Sequence, residues 1–332
     1  TSPIMAAAQD VTLTVVTGQP ASPGDMSIRH MAEISAAEGI ASLQVQSGLV
    51  LTKAIQQVAQ RDTDMSYAPF ALPFLMSKGL GPYSALGAED GARLADDLRI
   101  LIPFHVSNYY LRAFANSGIT SWDDLAGKTL HNGPPSGGAL VMARQMMQAV
   151  TGFAEGEDYT GVQIDWGQQN SIFLDGSVDA SLIPGTNPDS NMPMLVAAGK
   201  INVISVPKDI FEGEAFQRLV KTPGRVSVEE DLSAFEHYGD DVTAISEDGT
   251  FRTAGEAGGL FVNAAMDKEL ARALTAEFLA TLPDLQRKVP FAKSQKIGMI
   301  EEAMMGLCRA GLKLHQGAVE AYEQAGYLVE DC

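Results

Sequence analysis

The stretch Ser121–Val150, SWDDLAGKTLHNGPPSGGALVMARQMMQAV, decides how the chain is read. Asp123, Asp124 and Lys128 are turn and cap residues around Gly127, and Thr129–His131 continues as a short strand. Asn132–Gly138 is a loop of small residues and prolines. Beyond it Leu140, Val141, Ala143, Met146, Met147 and Val150 recur at helical spacing. Ser136, Gly137 and Gly138 stand where an N-cap and first turn belong. A strand, a small-residue loop and a helix start leave backbone N–H groups unpaired beside the positive end of the helix dipole, which is a seat for a carboxylate or phosphate. The segment has neither the lysine and spacing of a nucleotide P-loop nor the glycine spacing of a dinucleotide fold, so no nucleotide is implied.

The same alternation of strand, polar loop and helix runs through the chain. Val11–Thr17, VTLTVVT, is rich in β-branched residues and reads as a buried strand, followed by a helix from Met26 to Ala37. Ala41–Val45 and Leu49–Gln60 repeat the unit. Ligands collect at the carboxyl ends of such strands, so Thr17, Gln19 and Ser22 are polar candidates, with Arg29 either a charge partner for a carboxylate or an exposed helix arginine. The aromatic segment Tyr67–Phe74 reads as a loop near the crevice, with Tyr67 its ligand-contacting ring. Arg99–Tyr110 is a strand interrupted by Pro103, and the first crossing between halves is expected there. Val162–Trp166 is a strand. Asp179–Pro184 is another, opening on Gly185–Pro188, which directs Thr186 and Asn187 toward the crevice of Ser136. Further on, helices are expected at 191–198, 211–220, 267–282 and 294–307, strands at 201–206 and 258–263, and an acidic irregular segment at 226–248.

The chain has 332 residues with 45% hydrophobic content, enough to bury a sizeable core and long enough for two domains. No apolar run approaches the roughly 18–20 residues of a bilayer span, so no direct membrane insertion is expected. The net charge of −18 argues against nucleic acid. The five histidines are scattered with no metal spacing, and Ser136 is not in a nucleophile elbow, so no catalytic residue, metal ligand or cofactor is assigned. Cys308 and Cys332 are too few for a disulfide framework; they either pair in an oxidising compartment or are both free. Ala6–Ala8 resembles the small-residue end of a secretory signal peptide, which suggests a processed, exported protein.

Three segments carry a resemblance: SGITSWDDLAGKTLHNGPPSGGA, LDGSVDASLIPGTNPDSNMPML and LHQGAVEAYEQAG, in that order. Together they resemble the TAXI-type solute receptors of TRAP transporters. The resemblance implies an α/β fold of two lobes, each a mostly parallel sheet flanked by helices and joined by crossing strands, with 1–103 and 225–332 forming lobe I and 104–224 lobe II. It also implies a monomer in the periplasm that closes on a small anionic solute, glutamate or 2-oxoglutarate by default, and delivers it to TRAP membrane subunits. By the same resemblance Ser47 and Gly48 are donors facing the second lobe, and Asn132, Ser136, Gly137 and Gly138 hold one carboxylate, with Thr186 and Asn187 opposite. His315, at the family's His-x-Gly-Ala position, is expected to be a structural cap. Met26 and Ser27 replace the family's tyrosine pair, which leaves room for another solute. An α/β enzyme, or the effector domain of a regulator, acting on a small carboxylate in the same cleft is the alternative.

Overall fold

The computed structural model describes residues 11–18, 20–135, 138–330 and 332. The chain opens with β1 (Thr12–Val16), α1 (Pro23–Ala37), β2 (Ser42–Gln46), α2 (Leu51–Gln60) and β3 (Met65–Pro69). Two helices, α3 (Ala71–Ser77) and α4 (Gly87–Asp96), lead into β4 (Leu98–Phe114). Next come β5 (Thr129–His131), α5 (Gly138–Thr151), β6 (Thr160–Val162), α6 (Gln169–Leu174), β7 (Ala180–Gly185), α7 (Met192–Val196) and β8 (Ile201–Ile204). The last third holds α8 (Lys208–Glu212), α9 (Glu214–Val220), β9 (Arg225–Asp231), β10 (Val242–Ile245), β11 (Thr250–Asn263), α10 (Lys268–Lys288), α11 (Glu302–Met305) and α12 (Gln316–Gln324).

One sheet runs β2-β1-β3-β11-β4-β7-β5-β6, with β8 beside β4 and β10, and β9 beside β11. The parallel strands β2, β1 and β3 make the first lobe; β7, β5 and β6, also parallel, make the second. Among the described residues, β4 and β11 are the strands that serve both. The amino half of β4 pairs with β11, and from Asn108 onward it pairs with β7. The core divides accordingly. Two clusters, including Val15, Ile28 and Phe278 in one and Ile55, Phe70 and Phe261 in the other, pack around the first lobe. Two more, including Leu130, Met146 and Phe216 and then Phe173, Val203 and Phe235, pack around the second. The α/β architecture of two lobes joined by crossing strands is therefore present.

Local chemistry explains the boundaries. Ser22 caps α1, with Pro23 and Gly24 following, and Asp267 caps α10, accepting from the Leu270 N–H at 2.9 Å. The buried positions of α10, among them Ala271, Leu274, Thr275, Phe278 and Leu282, keep helical period, and Arg287 and Lys288 sit at its negative end. His315 caps α12 through Nδ1, which accepts from the Gly317 N–H at 3.1 Å, the structural role expected of it. Cys308 and Cys332 form a disulfide that ties the last residue to the turn after α11.

Several expectations need correction. Pro103 does not interrupt β4: its carbonyl accepts from the Gly298 N–H, so its missing donor lies on the side away from β11. Residues 67–74 are the end of β3 and the start of α3 rather than a loop. The strand expected at 162–166 stops at Val162, and the helix expected over 211–220 breaks at Gly213. Residues 294–307 are mostly turns with only α11 inside, because Gly298 and Gly306 take positive φ and the segment bonds to β4 instead of to itself. The segment 226–248 contains β9 and β10. There β10 pairs with β8, and Phe235, Val242 and Phe251 pack with Phe173.

At the crossing, a Cβ on Gly258 would lie 2.4 Å from the Ala68 carbonyl oxygen and 2.5 Å from Val106. Gly258→Ala should therefore cost about 1–3 kcal/mol, as overpacking does. Urea unfolding reads this directly, and an unchanged midpoint would show that the crossing has slack.

Candidate functional site

The carboxyl ends of β1 and β2 are laced together. The Gly48 N–H donates to the Gly18 carbonyl at 2.9 Å and the Leu49 N–H to the Thr17 carbonyl at 3.1 Å. Gly48 has φ +85°, a conformation that favours glycine in this turn. Thr17 is fully buried, and its hydroxyl has no hydrogen-bond partner among the described residues. Ser22 accepts from the Asp25 N–H and shares a 2.9 Å hydrogen bond with the Tyr67 hydroxyl. The Tyr67 ring lies flat on Gly24, where a Cβ would come within 2.2 Å of it. Tyr67 is thus a buried wall that props the β1–α1 loop. Ser47 accepts from the Arg29 guanidinium at 2.8 Å, and Arg29 Nε bonds Asp25 at 2.8 Å. Asp25 is buried and also accepts from the Ala21 N–H. Arg29 is thus paired with Asp25 and Ser47, with its side chain half exposed. Gln19 lies outside the described residues.

In the second lobe, Asn132 ends β5 fully buried. Its amide donates to Glu155 at 2.8 Å and its oxygen accepts from Gln163 at 2.8 Å, while Arg144 grips Glu155 with two 2.7 Å bonds. The Asn132 side chain is spent on holding the loop. Gly133, at φ +109°, folds the chain back against Ala139 and Leu140 at the start of α5. Ser136 and Gly137 lie outside the described residues; Gly138 opens α5 and is exposed. Trp166, which the sequence reading passed over, is 39% exposed and stands beside Gly133 and edge-on to His131. The Thr186 hydroxyl donates to the Pro188 carbonyl at 2.8 Å, and the Asn187–Pro188 peptide is cis. Asn187 is buried, donating to Glu230 at 3.3 Å and the Ala234 carbonyl at 3.1 Å, with its own amide oxygen unpartnered.

Beneath the β7 loop sits a buried polar cluster that the sequence did not reveal. Arg112 and Asp189 pair at 2.5 Å, both nearly inaccessible, and Arg112 lies over the Tyr110 ring. Burial pushes the Asp189 carboxyl up, but the Arg112 charge and the Asn191 N–H outweigh it and hold the group below its ordinary value. Burial also keeps the His105 ring neutral, its pKa pushed down to about 4. Glu230, an inward residue of β9, accepts from Asn108 at 3.5 Å as well as from Asn187. The signal for it was the alternation Val226, Val228, Glu230, which places a carboxylate on the apolar face.

A cavity of about 720 Å³ lies among Arg99, Met266, Leu307, His315, Val319 and the C-terminal tail. It is at the far end of the first lobe from the strand carboxyl ends, and it holds none of the candidate residues.

Burial raises the Glu230 carboxyl above the ordinary 4.5, against the pull of the Asn187 and Asn108 amides and the Lys296 charge. The ionised form is the strained one, so the stability linked to this group is complete below 4.5 and is lost as pH rises through the folded value. Glu230→Gln should raise the melting temperature at about pH 8 and give no gain at about pH 4. Thermal denaturation at the two pH values checks this; an equal effect at both would remove the titration from the account.

The sequence pattern of the NMT1-like family matches residues 30–326. Among solved structures, a periplasmic sulfonate-binding protein, SsuA, of Methylobacillus flagellatus KT is 10% identical over 98% of this chain and 99% of that one, with a TM-score of 0.54. A TRAP periplasmic solute-binding protein of Rhodobacter sphaeroides is 12% identical over 95% of this chain and 92% of that one, with a TM-score of 0.49. The two-lobed sheet with strand ends meeting at a double crossing is the architecture of periplasmic solute-binding proteins, and the chain that carries it belongs to the NMT1-like family.

Proposed function

We propose that this protein is an extracytoplasmic solute receptor, working in the periplasm as a monomer, that binds a small anionic solute between its lobes. The observation that carries the reading is the placement of the strand ends. Thr17 and Ser47 in the first lobe, and Asn132, Gly185, Thr186 and Asn187 in the second, end parallel strands on either side of the β4–β11 pair. Open α/β sheets bind ligands in the crevice outside such strand ends, and two lobes hung on two strands can close around what enters. In this reading lobe I takes 1–103 and 225–332 and lobe II takes 104–224, with β10 reaching across to pair with β8. Closure would be selected by solute contacts available only in the shut state.

One anionic group of the solute would sit on the N–H groups and hydroxyl of Ser136–Gly138, at the start of the fourteen-residue helix α5. Thr186 would face it from the β7 loop. The three TAXI-like segments support delivery to TRAP membrane subunits. Among the described residues no helix is long and apolar enough to cross a membrane, so a separate permease would carry out translocation. The solute class is a dicarboxylate or acidic amino acid such as 2-oxoglutarate or glutamate. The likeness to a sulfonate-binding protein adds sulfonates to the anions worth testing.

A thermal-shift screen of 2-oxoglutarate, L-glutamate, succinate and methanesulfonate tests this. A ligand at a hundredfold excess over Kd should stabilise by about 2.7 kcal/mol, a rise of several degrees. Silence from every anion would sink the reading. With a binder in hand, Ser136→Ala combined with Thr186→Val should weaken it by roughly tenfold or more. Undiminished affinity by calorimetry would move the seat elsewhere.

A further inference from the structure

The turn between α10 and α11 touches both lobes at the crossing. Its backbone is fixed to the first-lobe half of β4: the His105 N–H donates to the Gln295 carbonyl at 2.7 Å, and the Gly298 N–H to the Pro103 carbonyl at 2.9 Å. Its side chains reach the second lobe. The Ser294 hydroxyl donates to the Asn187 carbonyl, and the Gln295 amide to the Gly185 carbonyl at 3.4 Å. Gln295 is fully buried, and its amide oxygen has no partner among the described residues. Lys296 follows directly, half-buried, between the two residues that anchor the turn to β4. Its positive charge lowers the pKa of both the Glu230 carboxyl and the His105 ring. It makes no ion pair or side-chain hydrogen bond among the described residues.

Two features set this lysine apart. The other cations at the strand ends are already neutralised: Arg29 by Asp25, Arg112 by Asp189, Arg144 by Glu155. Lys296 also has φ +51°, a left-handed conformation that a lysine adopts at a cost and a glycine adopts freely. Holding a long cationic side chain where glycine would be more stable is the kind of strain that collects at binding sites. A chain of net charge −18 repels small anions at long range, so an anion that enters must meet local positive charge.

We propose that the Lys296 ammonium, at the turn joining the lobes and beside the Gly185–Asn187 loop, is the charge partner of the solute's anionic group. The proposal rests on the solute-receptor reading and adds a second anionic contact, across the crossing from α5. A solute with two separated negative groups satisfies both ends.

The test compares Lys296→Gly, Lys296→Met, Lys296→Arg and, on the exposed face of the same turn, Lys293→Met. The probe is the tightest anion found among 2-oxoglutarate, L-glutamate, succinate and methanesulfonate, titrated by calorimetry at low and high salt. Lys296→Gly should melt no lower than the wild type, since it relieves the backbone, yet bind roughly tenfold or more weakly. Lys296→Met should lose similar affinity, Lys296→Arg should keep most of it, and Lys293→Met should bind as the wild type does. The salt dependence of Kd should flatten in the Gly and Met variants. Wild-type affinity in both of those variants would overturn the assignment while leaving the receptor reading intact. An equal loss in Lys293→Met would overturn it too, by showing a diffuse field effect. Failure of the wild type to bind any of the four anions would overturn both.

Discussion

Everything in this molecule hangs on the antiparallel pairing of β4 with β11. These are the two longest strands, seventeen and fourteen residues, and they are the ones whose hydrogen bonds reach partners in both lobes. Their contact is unusually close because β11 carries glycine where the neighbours crowd in. A Cβ at Gly255 would meet the Asn108 amide oxygen at 2.6 Å, and one at Gly259 would meet Ile100 and the Ile102 carbonyl at about 3.0 Å. The register also slips between Glu256 and Ala257. Such a bulge bends and twists a strand locally. A glycine-lined, bulged pair can flex at the point where the two lobes part company, while the apolar clusters on either side keep each lobe rigid.

Charge is buried beside that joint at a cost, and the structure manages it by pairing. Arg112 and Asp189 are each buried, and removing one partner would leave the other uncompensated, typically a loss of about 3–5 kcal/mol. The pair lies under the β7 loop, where Gly185 is needed because a Cβ there would come 2.9 Å from the Arg112 guanidinium. Asp189 also donates its backbone N–H to the Tyr238 hydroxyl at 2.6 Å and accepts from the Asn191 N–H at 2.8 Å. The Thr186–Asn187 segment therefore stands on a stiff polar platform. Stiffness under a binding loop lowers the entropy lost when a solute is held.

How much of this was legible follows from what each segment obeys. Thr129–His131 and the helix after Gly138 were readable because a β-branched start and an apolar 3.6 period are local properties. The first βαβαβ run was readable for the same reason, to within a few residues. The 226–248 segment was not: β9 alternates as a strand should, but Glu230 occupies an inward position and its neighbours are acidic, which hides the pattern. Residues 294–307 have helix-like composition, and only the tertiary bonds to Pro103 and His105 reveal why they turn instead. In the site, strand ends could be named from the order of elements, whereas pairings could not. Arg29 lies four residues after Asp25, a spacing that puts the two on one helix face, where they form an ion pair. Tyr67 and Asn132 fall at strand ends, and their side chains bond partners distant in sequence, Ser22 for the one and Glu155 and Gln163 for the other.

What the two lobes share at their meeting edge is a set of polar atoms left without protein partners. Among the described residues, the Thr17 hydroxyl on one side and the Asn187 and Gln295 amide oxygens on the other are buried without a hydrogen-bond partner. An unsatisfied buried polar group costs about 1–3 kcal/mol. Several such atoms lie along the β4 crossing and the ends of β1 and β7, while others, such as those of Thr275 on α10 and Tyr322 on α12, lie elsewhere. A conformation or a solute that supplies their missing hydrogen bonds gains free energy that a merely bulky ligand does not, because only polar groups at matching positions can satisfy them. Selectivity in a cleft of this kind thus comes less from the volume it encloses than from the penalty it imposes on any occupant that leaves these atoms unpaired.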